Sequence, residues 1–239
     1  MSHILGNFEA SLLDCREKVL TMASIAQRNL ANGMKGLFER NLELCNQAIA
    51  DDEDVDILEK EIDAEGLQLI MRYQPVAHDL RVVLSTMRIS KDLERVSDQA
   101  CNIGRRARKI LKYMELDETK LVEPIYDMAT GILTDAVKSL AEGDTELALS
   151  LKERDRELDS VERKLAKKLT KRMEESPTNI KPYLHLIFIL RSLERIGDHA
   201  INISRDTVFI EQAASIRSGD PEELQQELAK ASTPSSATS

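Results

Sequence analysis

Apolar residues return along this chain at alternating steps of three and four. Ile89, Leu93, Val96, Ala100, Ile103, Ala107, Ile110 and Met114 form the clearest run, and Leu44, Ala48, Val55, Leu58, Ile62 and Leu69 form a second. That period belongs to an amphipathic helix with one face in a core. Punctuation between such runs predicts six helices. The first covers 7–32 and is closed by Asn32-Gly33; the second covers 38–73 and is closed by Gln74-Pro75; the third covers 76–114. After a polar connection over 115–120, a fourth helix covers 124–141 with Pro124 in its first turn. A fifth covers 145–174 with Asp144 as N-cap, and a sixth covers 180–216 after the break Ser176-Pro177-Thr178-Asn179. Long amphipathic helices joined by short turns bury their stripes by packing antiparallel. The expected fold is therefore all-α, two tandem three-helix bundles over 1–116 and 117–217, with a polar, disordered tail over 218–239.

The two halves repeat one another. Leu93-Glu94-Arg95-Val96-Ser97-Asp98-Gln99-Ala100-Cys101-Asn102-Ile103 is written again as Leu193-Glu194-Arg195-Ile196-Gly197-Asp198-His199-Ala200-Ile201-Asn202-Ile203. A repeat in register means one structural unit used twice. On a helical wheel Glu94 and Asp98 fall opposite the apolar stripe, one turn apart, and Glu194 and Asp198 do the same. Like charges at that spacing destabilise a helix, so their recurrence points to something cationic on the face.

A second pair of strings aligns one helix upstream. Asp52-Glu53-Asp54-Val55-Asp56-Ile57-Leu58-Glu59 matches Asp155-Arg156-Glu157-Leu158-Asp159-Ser160-Val161-Glu162. Asp52 and Asp56 precede the Pro75 break by about as many residues as Glu94 and Asp98 follow it, which puts both pairs at one height of an antiparallel helix pair. The same holds for Asp155, Asp159, Glu194 and Asp198 around Pro177. With Asn102 and Asn202, each bundle gathers four carboxylates and one amide. Oxygen donors alone suit hard cations such as Fe(III), Mn, Mg or Ca better than structural zinc. His78, His185 and His199 are turned away from these faces on the wheel, and no E-x-x-H motif of the di-iron oxidase kind is present. The competing reading is a solvated face in which Lys91, Arg105, Arg191 and Arg205 neutralise the carboxylates as surface salt bridges. Spacing alone leaves both open.

Composition narrows the class. A net charge of −9 disfavours nucleic acid or anionic lipid as the partner. No apolar run is long enough to span a membrane, and Met1-Ser2-His3-Ile4-Leu5-Gly6-Asn7-Phe8-Glu9 lacks the basic and apolar regions of a signal peptide. Cys15, Cys45 and Cys101 are odd in number and isolated, which fits a reducing cytoplasm. There is no P-loop, G-x-S-x-G or H-E-x-x-H motif. The basic runs Arg105-Arg106-Ala107-Arg108-Lys109 and Lys164, Lys167, Lys168, Lys171, Arg172 read as helix C-terminal charge compensation or as a docking patch for an acidic surface. Met22, Met34, Met71, Met87, Met114, Met128 and Met173 read as core filler, and Tyr183, Phe188 and Phe209 as packing residues.

The paired L-E-R-[VI]-x-D-x-A-x-N strings, with Gln74-Pro75-Val76-Ala77-His78-Asp79-Leu80-Arg81 at the second turn, resemble the PhoU family of phosphate-signalling regulators. The resemblance runs from Phe8 to about Ile210. It implies tandem three-helix bundles and multinuclear metal, iron foremost and zinc or manganese next, on paired E(D)-x-x-x-D motifs. By that carry-over Asp52, Asp56, Glu94 and Asp98 form one site, and Asp155, Asp159, Glu194 and Asp198 the other, with Asn102 and Asn202 adjacent. It further implies a cytoplasmic, homodimeric adaptor without enzymatic activity. Such an adaptor restrains phosphate-starvation signalling and phosphate uptake between the ATPase subunit of a phosphate ABC transporter and a sensor histidine kinase. Two departures stand out: Ser97 occupies the place of Gly197, and the break at Pro177 keeps little of the Gln74–Arg81 pattern. The rival classes are a metal-dependent helical-bundle enzyme and a metal-free helical scaffold.

Overall fold

The computed structural model describes residues 2–213, with side chains from residue 6 onward, and the expected tail over 218–239 lies outside the described residues. Among the described residues there is no strand. The helices are α1 (Ser2–Phe38), α2 (Leu42–Ala50), α3 (Asp52–Tyr73), α4 (Ala77–Ile110), α5 (Glu123–Glu142), α6 (Thr145–Glu175) and α7 (Ile180–Gln212), with short 3₁₀ turns at Asp117–Val122 and Pro177–Asn179. In the first half α4 packs on α1, α2 and α3; in the second half α7 packs on α5 and α6. The fold is all-helical and built twice, as the repeat requires.

The punctuation worked where its chemistry is unambiguous. Asp144 caps α6 by accepting from the Leu147 amide at 2.9 Å. Pro124 lies in the first turn of α5, and Gly143 closes that helix at φ 67°. Several boundaries differ from expectation. The Asn32-Gly33 pair does not end α1, which runs on to Phe38. Gly33 lets α4 come close: a Cβ there would lie 3.3 Å from the Ala100 carbonyl oxygen and from Ile103 Cγ2. The chain turns instead at Arg40, with φ 53°, and Asn41 caps α2 by accepting from the amides of Glu43 and Leu44. The second predicted helix is broken at Asp51, which starts α3 at Asp52 and bridges to Arg28 at 3.0 Å. The last helix stops at Gln212, capped by Ala213 at φ 57°, rather than near 216.

The apolar stripe of α4 is buried from Ile89 to Ile110, but Met114 lies past the helix end and is 89% exposed. Met71 is likewise exposed, so these two methionines are not core filler, whereas Met22 and Met34 are fully buried. One core runs through both halves, because α4 and α7 are each other's most extensive partners. Their pairing is antiparallel. Arg81 donates to the Ile210 carbonyl, Ser85 to Asp206 at 2.9 Å, Asp92 meets His199 at 2.8 Å, and Arg106 meets His185. Numbers rise on α4 as they fall on α7, so the two copies of the motif lie alongside one another at mid-length. Arg106, read from sequence as part of a helix-end basic run, is in fact a seam residue stacked 4.1 Å over the Phe188 ring.

Candidate functional site

Four strings of carboxylates come together in two places. In the first half, Asp52 opens α3 and its Oδ1 accepts from Ser97 Oγ of α4 at 2.8 Å. That bond fixes the height of α3 against α4, and with it brings Asp56 near Glu94 and Asp98 near Asp52. Burial pushes the Asp52 and Glu94 carboxyls above the usual carboxylate range, and the charge of Asp98 raises both further. Asp56 adds to each, and Glu59 adds to Glu94. Glu94 and Asp98 are 20% and 39% exposed at the side chain, not turned away from all packing as the wheel suggests. The reason is that α4 has neighbours on more than one side, so the face opposite its main stripe borders α3.

The second half repeats the arrangement on α6 and α7. Asp155 is pushed up to about 6, by burial first and then by Asp198 and Asp159. Glu194 is raised by burial, then by Asp198, Asp159 and Glu162, and Asp198 by burial and Asp159. Each group makes its neighbours harder to ionise, the pattern of like charges crowded into a half-dry groove. Among the described residues, no three His, Cys, Asp or Glu side chains stand as a ready ligand set for a metal ion. In the first half the exposed Arg95 reaches both Glu94, at 3.2 Å, and Asp98, at 3.1 Å. Neutralisation thus comes from Arg95, and not from Lys91 or Arg105. In the second, Arg163 stands 4.0 Å from Asp159.

Two observations in the second half nonetheless fit a cation. Asp155 Oδ1 is buried and has no hydrogen-bond partner. Gly197 leaves open the space beside it, since a Cβ there would lie 3.0 Å from that oxygen. An anionic oxygen shielded from water and offered no donor is a costly arrangement unless a cation completes it. All-oxygen donors suit a hard cation.

The amides divide. Asn102 is half-buried one turn beyond Asp98. Asn202 donates to Asp92 Oδ1 at 3.1 Å and accepts from Arg205, so its side chain is engaged at the α4–α7 seam. Sequence reasoning missed Asp92, which belongs to the other half of the chain. It also set aside His199, which pairs with Asp92 at 2.8 Å and whose proximity works against the rise of Asp198. Glu59 and Glu162 were missed as well. Their signal was present, because each lies seven residues after Asp52 or Asp155 and continues the same helical face.

The fold and these grooves define a class: an all-helical protein built from two copies of one three-helix unit, each presenting the same carboxylate cluster between its last two helices. The PhoU domain matches this chain twice, over residues 19–107 and 122–207. The chain belongs to the PhoU family. It is 33% identical to the phosphate-specific transport system accessory protein PhoU homolog of Pseudomonas putida over 216 residues, covering 90% of this chain and 84% of that one. It is 31% identical to the homolog of the same description in Rhizobium meliloti, covering 93% and 94%. The crystal structure of PhoU from Pseudomonas aeruginosa superposes with a TM-score of 0.84 at 31% identity, over 87% of this chain and all of that one. The phosphate transport system regulatory protein PhoU from Streptococcus pneumoniae has the same fold, with a TM-score of 0.81 at 21% identity. Among the described residues no helix is long and apolar enough to cross a membrane.

Proposed function

We propose that this chain is a regulatory accessory protein of a phosphate transport system. The observation that carries the proposal is the double match of the PhoU domain across both halves. In this reading it is a cytoplasmic, homodimeric adaptor that restrains phosphate uptake and starvation signalling. Its partners are the ATPase subunit of a phosphate ABC transporter and a sensor histidine kinase, not nucleic acid or the bilayer itself. It acts by contact and not by catalysis, in keeping with the accessory and regulatory descriptions of its relatives. Asp52, Asp56, Glu94, Asp98 and Asn102 hold metal in one half, and Asp155, Asp159, Glu194, Asp198 and Asn202 in the other. Iron is the foremost candidate, with zinc or manganese next. The unpartnered Asp155 oxygen supports the metal assignment. A metal-free scaffold is the second reading, and it draws on the Arg95 bridges to Glu94 and Asp98. Deleting the chain from its host is expected to leave phosphate-responsive promoters active in phosphate-rich medium, read with a promoter fusion. Normal repression in the deletion strain would remove the signalling role.

A further inference from the structure

We propose that the two carboxylate sites are unequal, that Ser97 and Gly197 set the difference, and that the second-half site takes a divalent cation first. This rests on the metal-binding reading above and goes beyond it.

The contrast is local. In the first half the inner oxygen of Asp52 already has a donor, Ser97 Oγ at 2.8 Å. The direction of that hydroxyl is set from behind. Asn29, fully buried on α1, donates its Nδ2 to Ser97 Oγ at 3.2 Å, so the hydroxyl hydrogen is left for the carboxylate. Asn29 and Ser97 therefore act as a two-residue relay that satisfies Asp52 from the core side. In the second half the matching oxygen is Asp155 Oδ1, buried and without a partner. The residue in the place of Ser97 is Gly197, which offers no hydroxyl, and a Cβ added there would already crowd this oxygen at 3.0 Å.

A hydroxyl bond to a carboxylate withdraws charge from the oxygen that a cation would use, and a cation must share or break it. Losing one hydrogen bond to a charged group corresponds to about tenfold in affinity. The Arg95 fork works in the same direction. It holds Glu94 and Asp98 in the first half, while among the described residues Arg195 makes neither bridge in the second. The first-half carboxylates thus have a hydroxyl donor and an arginine fork in direct contact, whereas the second half has only the looser Arg163–Asp159 pair at 4.0 Å and the longer-range charges of Arg195 and Arg205. Ser97 is a positioning residue in this scheme. The consequence is a chain that can exist half-loaded over a range of metal concentration, with its two halves in different states.

The test is a titration of the metal-stripped full chain with Mn²⁺ alone, reading free ion by electron paramagnetic resonance. The wild type should show two classes of site about tenfold or more apart. Asp155→Asn should remove the tighter class. Ser97→Ala keeps the Cβ and removes only the hydroxyl, and should draw the weaker class toward the tighter one. Gly197→Ser should weaken the tighter class alone. Melting curves without metal report whether each variant folds, and Ser97→Ala, with its better helix former, protects the test if Gly197→Ser does not fold. Two equal classes in the wild type, or a weaker class that Ser97→Ala leaves unmoved, would overturn the proposal while the metal-binding reading stands. No Mn²⁺ bound by any of the proteins would instead bring down the metal-binding reading, and this inference with it.

Discussion

Replacing Asp155 by asparagine is expected to raise the melting temperature of the metal-stripped chain near neutral pH and to remove the tighter part of its response to added cation, leaving only the weaker first-half site. Asp155 is pushed from 3.8 up to about 6 by burial and by Asp198 and Asp159. The folded protein therefore holds this proton more tightly than the unfolded chain does. Its stabilising effect is fully present below the unfolded value and is lost as pH rises through the folded one. The metal-free wild type should accordingly be more stable at about pH 5 than at about pH 7.5, with the fall between the two shared by Glu194 and Asp198, which are raised for the same reason. An asparagine amide in that place carries no charge to desolvate and can turn toward the neighbouring carboxylates. Discounted for partial exposure, the gain at neutral pH is about 1–2 kcal/mol, or roughly 2–6 °C in Tm. Low concentrations of metal reverse the order, because a cation adds more stability to the chain that binds it more tightly. Thermal melts of both proteins across pH, with and without Mn²⁺, check every sign. An Asp155→Asn variant that melts below the wild type without metal, or that gains as much as the wild type from low Mn²⁺, would contradict the crowded-carboxylate account.

The second large effect is structural. Gly36→Val is expected to destabilise the chain by about 3 kcal/mol, read as a shift of the urea midpoint. Gly36 lies where α1 passes α2. A Cβ there would lie 2.6 Å from Cys45 Sγ, 2.9 Å from the Cys45 amide nitrogen and 3.1 Å from the Asn41 carbonyl oxygen. Two of those three atoms are backbone, and Asn41 is the residue that caps α2, so the crowding cannot be relieved by turning one side chain. The better helix propensity of Val offsets only a fraction of a kcal/mol. A variant within experimental error of the wild type would show that the α1–α2 crossing is looser than described.

Gly33 and Gly36 also show why part of the fold escaped sequence reasoning. A glycine after a helical run serves equally as a stop or as the point where another backbone comes close, and only the partner helix decides. Gly33 faces Ala100 and Ile103, residues some seventy positions on, so nothing in its own neighbourhood reveals the role. The break at Asp51 was hidden for a different reason: Ala50-Asp51-Asp52 contains neither Gly nor Pro, and the turn is made in ordinary right-handed backbone. The stripe of α4 was legible because its period is local, and each member from Ile89 to Ile110 is buried. The carboxylate clusters were legible because the repeat doubles every signal and the proline breaks set the helix heights. His199 and Asp92 were not, since a helical wheel describes one helix and their pairing joins α7 to α4 of the other half, 107 residues away. The Ser97–Asp52 bond was invisible in the same way, although the Ser97 and Gly197 difference that matters was plain in the aligned strings.

The central claim is that the repeated carboxylate grooves hold metal. Elemental analysis of the tag-free full chain, purified without chelators alongside Asp98→Asn/Asp198→Asn, tests it most directly. The account predicts more than one equivalent of iron, zinc or manganese per chain in the wild type, lost in the double variant while the helical circular dichroism is kept. Equal metal content in both proteins, or none in either, would contradict it and leave the grooves as salt-bridged docking surfaces.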